Sequence, residues 1–371
     1  MKKVAFTCNR LGAGGAERVI TNLSNCLAKD GIKVYIICLD ILSGFYYHIE
    51  HGVEIIQLDE NQSDHKSWLS RKTNGLVNLY RLFSVFKKIR PDVVVSFYSK
   101  QNCYSILCSR LLRIPVICSE RDHFFLTDSK ANHIFRKMFY KHANGFIHQT
   151  QWAKEYLEWT YSTPVDSIVL QNPIWLSDFP ERKPVDGSLI AVGRLAKQKN
   201  YIGMIKAFSK VHDYYPHATL SIYGEGSQRG ELQQLINQLK MADNVFLKGQ
   251  TNNVSECYAK ADIFVMFSFG EGYPNALLEA LACGVPAISS NCPIGGPASM
   301  IRQGENGVLV ETDNEDELSQ KLIELLGNPE LKLHLSDAAR EIRKQNSMNV
   351  IYSKFYGYIE HIVELKVEKN S

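Results

Sequence analysis

Along the first half of the chain, short apolar runs alternate with segments whose apolar positions recur every three to four residues. The runs Val4–Cys8, Val34–Leu39, Val53–Gln57, Val93–Phe97, Pro115–Ser119 and Gly145–His148 have the length of strands. Between the first two lies Ala16–Asp30, with helical spacing and Gly31 just past its end. Strand alternating with helix predicts a parallel sheet covered by helices on both faces.

The pattern then starts again. Ser188–Val192, Ala218–Tyr223, Val245–Gly249, Ile263–Phe267, Pro286–Ser290 and Gly307–Val310 read as strands, separated by helical stretches such as Tyr201–Asp213, Ser227–Lys240 and Asn314–Leu326. Between the halves, Leu170–Lys183 holds Asn172-Pro173 and Phe179-Pro180 and little periodicity, which places a linker at 171–186. Asn349–Lys366 reads as a long amphipathic helix. The expected organisation is α/β: a doubly wound domain over 1–170, a second over 187–348, and a C-terminal helix over 349–371 packing back on the first domain. Ligands bind such sheets at the carboxyl ends of the strands, where the strand order reverses. Two such domains facing one another would enclose a deep cleft.

Composition narrows the class. The 371 residues are 45% hydrophobic and 22% charged, which excludes a disordered, collagenous or disulfide-stapled chain and suits two domains. No apolar run approaches the roughly 18 residues of a membrane span. Met1–Arg10 reads as a first strand, not a leader. The nine cysteines are odd in number, form no CxxC pair, and in several cases (Cys38, Cys118, Cys257) sit inside apolar runs. They read as buried free thiols in a reducing cytoplasm. The net charge of +3 hides an asymmetry: residues 1–185 carry 24 Lys and Arg against 17 Asp and Glu, the remainder 18 against 22. A basic first half suits anionic lipid, a phosphorylated acceptor or nucleic acid.

Three strand ends carry candidate chemistry. The first opens into Gly12-Ala13-Gly14-Gly15-Ala16-Glu17-Arg18, where glycines and a helix N-terminus suit an anion. Readings open here are phosphate or sugar contact, NAD or FAD binding with Asp40 on the ribose, or a tight turn without ligand. A dinucleotide fingerprint wants a third glycine where Glu17 stands. The second domain opens with Gly193-Arg194 followed by Lys197 and Lys199, residues able to grip a pyrophosphate by a fork and a point charge, or to form a solvated basic loop. The third is Gly270-Glu271-Gly272-Tyr273-Pro274-Asn275, after a buried strand and before a helix bearing Glu279. One acid suits a sugar hydroxyl and the other a ribose hydroxyl; as a lone pair, the two glutamates also suit a solvated helix start.

Taken together, Gly14-Gly15-Ala16-Glu17-Arg18, Gly193-Arg194-Leu195 with Lys199, the Glu-x7-Glu of Glu271 and Glu279, and Gly304-Glu305-Asn306-Gly307 resemble the retaining GT-B glycosyltransferases of family 4, in order and over nearly the whole chain. The likeness is to bacterial enzymes that build lipid-linked glycans for O-antigen, capsule or protein glycosylation. It implies that Arg194 and Lys199 hold the diphosphate of a UDP-sugar, Glu271 binds donor hydroxyls and Glu279 the ribose. Gly272, Tyr273, Pro274 and Asn275 would touch diphosphate or sugar through their backbone. Gly14 and Gly15 would lie under the diphosphate and sugar across the cleft, and uridine near Gly224–Gly226 and Gln250–Val254, with Gly193 and Gly249 also among the nucleotide-binding residues. The fold commonly needs no metal, and no cofactor is expected. One departure stands out. Relatives often carry Ser-Glu-His after the fourth strand of the first domain, and this chain has Ser119-Glu120-Arg121-Asp122-His123. Arg121, Asp122 or His123 would then meet the reacting sugar, with His123 held as a catalytic candidate. The expected reaction moves a hexose or N-acetylhexosamine, leaning to N-acetylgalactosamine, onto a polyprenyl-diphosphate saccharide.

Two basic amphipathic segments bear on the acceptor. Residues 67–90 combine Trp68, Leu69, Leu76, Leu79, Tyr80, Leu82, Phe83 and Phe86 with Arg71, Lys72, Arg81, Lys87, Lys88 and Arg90; residues 133–142 combine Phe135, Met138, Phe139 and Tyr140 with Arg136, Lys137 and Lys141. They suit peripheral attachment to the anionic cytoplasmic face of the inner membrane, or a core-facing stripe with a solvated basic back. Rival functions are a nucleotide-sugar epimerase of the same fold, a dinucleotide-dependent oxidoreductase, and a nucleic-acid binder. The Glu-x7-Glu loop, Glu17 and the acidic second half respectively count against them.

Overall fold

The structure, a computed structural model, describes every residue except 13, 42–46, 59–67, 122–129, 165, 177 and 369–371, and except the side chains of 68–74. It divides into two compact units, Met1–Gln171 with Ile351–Ser371, and Asn172–Val350.

In the first unit the strands are β1 (Lys3–Leu11), β2 (Lys33–Ile41), β3 (Val53–Gln57), β4 (Val93–Phe97), β5 (Val116–Ser119), β6 (Gly145–His148) and β7 (Ser167–Val169). They form one sheet in the order β3-β2-β1-β4-β5-β6-β7, every pair parallel. All five residues of β4 are buried, as a strand covered on both faces requires. The helices are α1 (Gly15–Lys29), α2 (Trp68–Ile89), α3 (Ser99–Leu112), α4 (Lys130–Phe139) and α5 (Gln151–Tyr161). β1 runs three residues beyond the predicted Cys8, because its pairing with β2 continues to Leu11 opposite Ile41 while Asn9 and Arg10 emerge towards solvent. β7 was not predicted: three half-buried residues at a sheet edge are too few to show a period.

The second unit holds β8 (Ser188–Val192), β9 (Thr219–Tyr223), β10 (Val245–Gly249), β11 (Ile263–Met266), β12 (Ala287–Ser290) and β13 (Val308–Val310), ordered β10-β9-β8-β11-β12-β13 and parallel throughout. Its helices are α6 (Tyr201–His212), α7 (Arg229–Gln238), α8 (Val254–Lys260), α9 (Asn275–Ala282), α10 (Glu315–Leu326), α11 (Pro329–Ala339) and α12 (Ile342–Gln345). One apolar cluster packs α6, α7 and α10 on one face of the sheet, around Phe208, Phe267 and Leu322. A second packs α8 and α9 on the other, around Tyr258, Phe264 and Leu278. Each such aromatic or leucine side chain contributes about 1.5–3 kcal/mol by leaving water.

A last helix, α13 (Met348–Glu368), belongs to the first unit from Ile351 on. Phe355 stacks on Phe6 of β1 with ring centres 6.0 Å apart. The Tyr358 hydroxyl accepts from the Phe146 amide at 2.9 Å and donates to the Asp166 carbonyl at 2.8 Å. All nine cysteines are unbridged, and seven are buried. No described helix is long and apolar enough to cross a membrane.

Both sheets reverse strand order beside their first strand, between β1 and β4 and between β8 and β11. Each unit therefore has its own crevice at the carboxyl ends of those strands.

Candidate active site

In the second unit, the chain leaves β8 through Gly193 and Arg194 and makes a 3-10 turn at Lys197–Lys199. Asn200 then caps α6, its side-chain oxygen accepting from the Gly203 amide at 3.2 Å. The loop after β11 runs past Glu271 to Pro274. Three bonds join the two loops over the reversal point. The Phe269 amide donates to the Gln198 carbonyl at 2.8 Å, Gln198 Nε2 donates to the Gly270 carbonyl at 2.7 Å, and Lys199 Nζ donates to Glu271 Oε1 at 2.5 Å. The ion pair is largely withdrawn from water, the lysine side chain 19% exposed and the glutamate 7%. The adjoining Tyr201 hydroxyl is pushed well up, by burial first and by the Glu271 charge second. Arg194, by contrast, is exposed and forms no hydrogen bond or ion pair with the described residues, so its fork is open to a ligand.

The Glu271 loop feeds α9. Pro274 occupies the cap, and the first intrahelical bond runs from the Leu278 amide to the Pro274 carbonyl, so the amides of Asn275, Ala276 and Leu277 have no partner within the helix. Tyr273 is not turned to a ligand. Its ring is buried, and its hydroxyl accepts from Asn346 Nδ2 at 2.9 Å. Asn172 Nδ2 donates to the Tyr273 carbonyl at 3.2 Å and to Asn275 Oδ1 at 2.8 Å. Asn172, Tyr273 and Asn346 thus brace the loop, and only the backbone of Tyr273 remains for the role the resemblance gives it. Glu279, on the next turn of α9, is buried.

Gly193, Gly224 and Gly249 stand at three adjacent strand ends. The Gly193 amide donates to the Tyr223 carbonyl at 2.9 Å, and the Gly224 amide to the Gly249 carbonyl at 2.8 Å. Gly224 has φ +141°, and a Cβ there would lie 2.0 Å from the Gly193 carbonyl oxygen, so only glycine fits. A cavity of about 350 Å³, lined in part by Tyr223, Thr251 and Asn253, adjoins this edge.

Sequence reasoning missed the loop after β12. Pro293 accepts from the Glu271 amide at 3.4 Å, and Ile294 has φ +79°, a strained setting for a β-branched residue. A Cβ on Gly296 would fall 2.1 Å from the Gly272 carbonyl oxygen. This backbone backs the Glu271 turn directly. The signal available was a Gly-Gly pair, Gly295-Gly296, one turn after a strand.

In the first unit, Gly14 is the N-cap of α1 and Gly15 its first residue. Glu17 folds back over Gly14, so that a Cβ there would lie 2.1 Å from Glu17 Oε2, and Tyr98 Oη donates to Glu17 Oε1 at 2.9 Å. A carboxylate of the chain itself therefore occupies the helix N-terminus that a dinucleotide pyrophosphate would need, which disfavours the oxidoreductase reading. At the end of β5, Glu120 turns inward to bind Arg136 Nε at 3.2 Å and the Tyr140 hydroxyl. Arg121 turns the other way, its Nε donating to Ser119 Oγ at 2.9 Å and its guanidinium 5.2 Å from the Phe97 ring centre. Burial lowers it to about 10, so it stays charged at neutral pH. Asp122 and His123 lie outside the described residues.

The basic amphipathic segments need correction. Arg136, counted among the surface cations, is 2% exposed and neutralised by Glu120. Tyr140, Leu82 and Phe86 are core residues. Exposed are Leu76, Val77, Tyr80, Arg81, Lys87 and Lys88 on α2 with Arg90 just beyond it, and Ile134, Phe135 and Met138 on α4 beside Lys130, Lys137 and Lys141. The side chains of Trp68, Leu69, Arg71 and Lys72 lie outside the described residues.

Two parallel-sheet α/β units in tandem, with the reversal point of one bearing paired cations and carboxylates, are the GT-B architecture of sugar-transferring enzymes. The description Glycosyltransferase Family 4 matches residues 13–177 and Glycosyl transferases group 1 matches residues 177–342, together most of the chain. The chain belongs to this family and is a glycosyltransferase. It is similar to a Campylobacter jejuni enzyme named GalNAc-alpha-(1->4)-GalNAc-alpha-(1->3)-diNAcBac-PP-undecaprenol alpha-1,4-N-acetyl-D-galactosaminyltransferase, 26% identical over 98% of this chain and 99% of that one. Among solved structures, sucrose-phosphate synthase from Thermosynechococcus elongatus superposes with TM-score 0.82 at 16% identity, over 98% of this chain and 100% of that one. HepE from Anabaena, in complex with UDP and glucose, gives TM-score 0.80 at 16% identity, over 97% and 100%. The two structures speak for the fold.

Proposed function

We propose that the chain transfers a hexose or N-acetylhexosamine, with retention, from a UDP-sugar to a polyprenyl-diphosphate-linked saccharide. The observation that carries this is the convergence of Arg194, Lys199 and Glu271 on one strand-order reversal, before the free amides of α9. The Campylobacter relative, whose name gives an undecaprenol-diphosphate acceptor and an N-acetylgalactosaminyl group, supports the substrate class.

Charge dictates the mechanism. Breaking the bond between the anomeric carbon and the diphosphate oxygen leaves negative charge on the phosphate and positive charge on the ring. Arg194, Lys199 and the α9 amides stabilise the former, already in place before the reaction begins. The acceptor oxygen attacks the same face that the diphosphate leaves. Its proton passes to the departing phosphate oxygen, so a new C–O bond replaces the old one and UDP departs carrying the proton. Glu271 holds donor hydroxyls and keeps Lys199 aimed; Glu279 takes the ribose. Two protein cations and a helix terminus supply the charge stabilisation, and the reaction is proposed to proceed without metal. The exposed apolar residues of α4, flanked by three lysines, dock on the anionic membrane surface where such an acceptor resides.

The test is a panel of UDP-sugars incubated with the chain in EDTA. One UDP-hexose or UDP-N-acetylhexosamine should release UDP slowly, and faster with a polyprenyl-diphosphate saccharide present. No release from any member with either acceptor state contradicts the proposal.

A further inference from the structure

The second unit contains a cavity of about 660 Å³ that the donor reading leaves unused. Its size falls in the range of roughly 300–1,000 Å³ typical of small-molecule sites. It lies at the carboxyl ends of β12 and β13, lined by Asn291 and Glu311 just beyond them. Two of its lining residues belong to the donor turn's own support. Phe269 precedes Glu271 by two positions, and Pro293 accepts the Glu271 amide hydrogen.

Its polar side chains are held in place and incompletely satisfied. Gln303 Oε1 accepts from the Leu309 amide at 2.6 Å, which fixes the side chain while its NH2 meets no described residue. Glu317 Oε2 accepts from the Glu311 amide at 2.7 Å, and Glu311 Oε2 from Asn314 Nδ2 at 3.2 Å; the second oxygen of each carboxylate accepts no bond from described residues. Beside Asn291, the remaining wall is apolar: the Phe269 ring, Pro293, Leu309 and Val310.

An aromatic ring and a proline in one wall with an amide donor and carboxylate acceptors fit a pyranose, whose C–H face packs on the apolar wall while its hydroxyls both donate and accept. Two carboxylates exclude an acidic sugar or a phosphate by like charge. We infer that this cavity is a saccharide subsite that holds a neutral or amino-sugar residue of the acceptor glycan beside the donor loop. The inference rests on the proposed transfer to a saccharide.

Saturation-transfer NMR on the full chain with methyl α-N-acetylgalactosaminide, methyl α-galactoside and methyl α-glucuronide tests it, with UDP-induced thermal stabilisation measured on the same samples. Asn291→Trp fills the cavity from an exposed position, and Glu317→Gln removes one of its two charges. The neutral glycosides should give signal and the glucuronide at most a third of it. Asn291→Trp should abolish the signal and Glu317→Gln should raise the glucuronide signal at least threefold, with the UDP response unchanged in both. No signal in the wild type, an undiminished signal in Asn291→Trp, or an unchanged glucuronide signal in Glu317→Gln overturns the subsite even where UDP stabilises the chain normally. Loss of the UDP response in the wild type would instead strike the donor reading.

Discussion

Lys199 and Glu271 stand 72 positions apart and meet at 2.5 Å, across the point where the strand order of the second unit reverses. The pair ties the loop after β8 to the loop after β11 before any ligand arrives. Because both side chains are mostly buried, removing either one strands the charge of the other. Lys199→Met and Glu271→Gln should each destabilise the chain, and the double variant should lose less than the sum. Urea denaturation of the four proteins should give a coupling of about 1–3 kcal/mol. Strict additivity would mean that the pair is not held in solution. Each single variant should also lose at least tenfold in UDP release from the donor.

Gly296 makes a sharper test of the turn itself, since its missing Cβ leaves room for the Gly272 carbonyl and not for a methyl group. Gly296→Ala should displace the Glu271–Gly272 backbone and lower kcat at least tenfold. Gly230→Ala, at a helical position with open space around it, should not. Equal rates for the two variants would remove the loop after β12 from the account.

His148 gives a pH signature of the first unit. It is buried at the end of β6 with neither ring nitrogen hydrogen-bonded to a described residue, and burial lowers it from 6.5 to about 3. The native state thus keeps it neutral while the unfolded chain protonates it below pH 6.5. Its contribution is therefore full above that pH and is lost as pH falls towards 3, by at most about 1.4 kcal/mol per unit. His148→Phe should flatten the decline in unfolding free energy between pH 6.5 and 4 relative to the wild type. Identical slopes would show that the imidazole titrates normally in the folded protein.

Much of this was legible in the chain. Strands buried on both faces, such as β4, declare themselves as continuous apolar runs, and Arg194, Lys199 and Glu271 stand in loops that directly follow such runs, which is what brings Lys199 and Glu271 together. What was not legible depended on distance in sequence. Nothing local in Tyr273 tells that Asn346 draws its hydroxyl inward, and nothing in Arg136 tells that Glu120 buries it. Periodicity saw the amphipathic character of α2 and α4 but not which apolar residues the core had already claimed. Phe86 went inside and Phe135 stayed out.

That division sharpens the membrane prediction. Reversing charge at Lys137 and Lys141, or changing Phe135 and Met138 to Ser, should weaken flotation with anionic liposomes at least fivefold without lowering the melting temperature. The charge effect should fade at high salt. Phe86→Ser should instead destabilise the fold. Liposome binding that survives both α4 variants would confine α4 to the solvent.

The central claim is that the reversal point of the second unit grips the diphosphate of UDP through the open fork of Arg194 and the ammonium of Lys199. Calorimetric titration of UDP into the full chain tests it directly, with Arg194→Ala measured alongside. The account predicts saturable binding to the wild type in EDTA, at least tenfold weaker binding to Arg194→Ala, and none of NAD to either. Equal affinity of the two proteins for UDP, or no heat from UDP with the wild type, would contradict it.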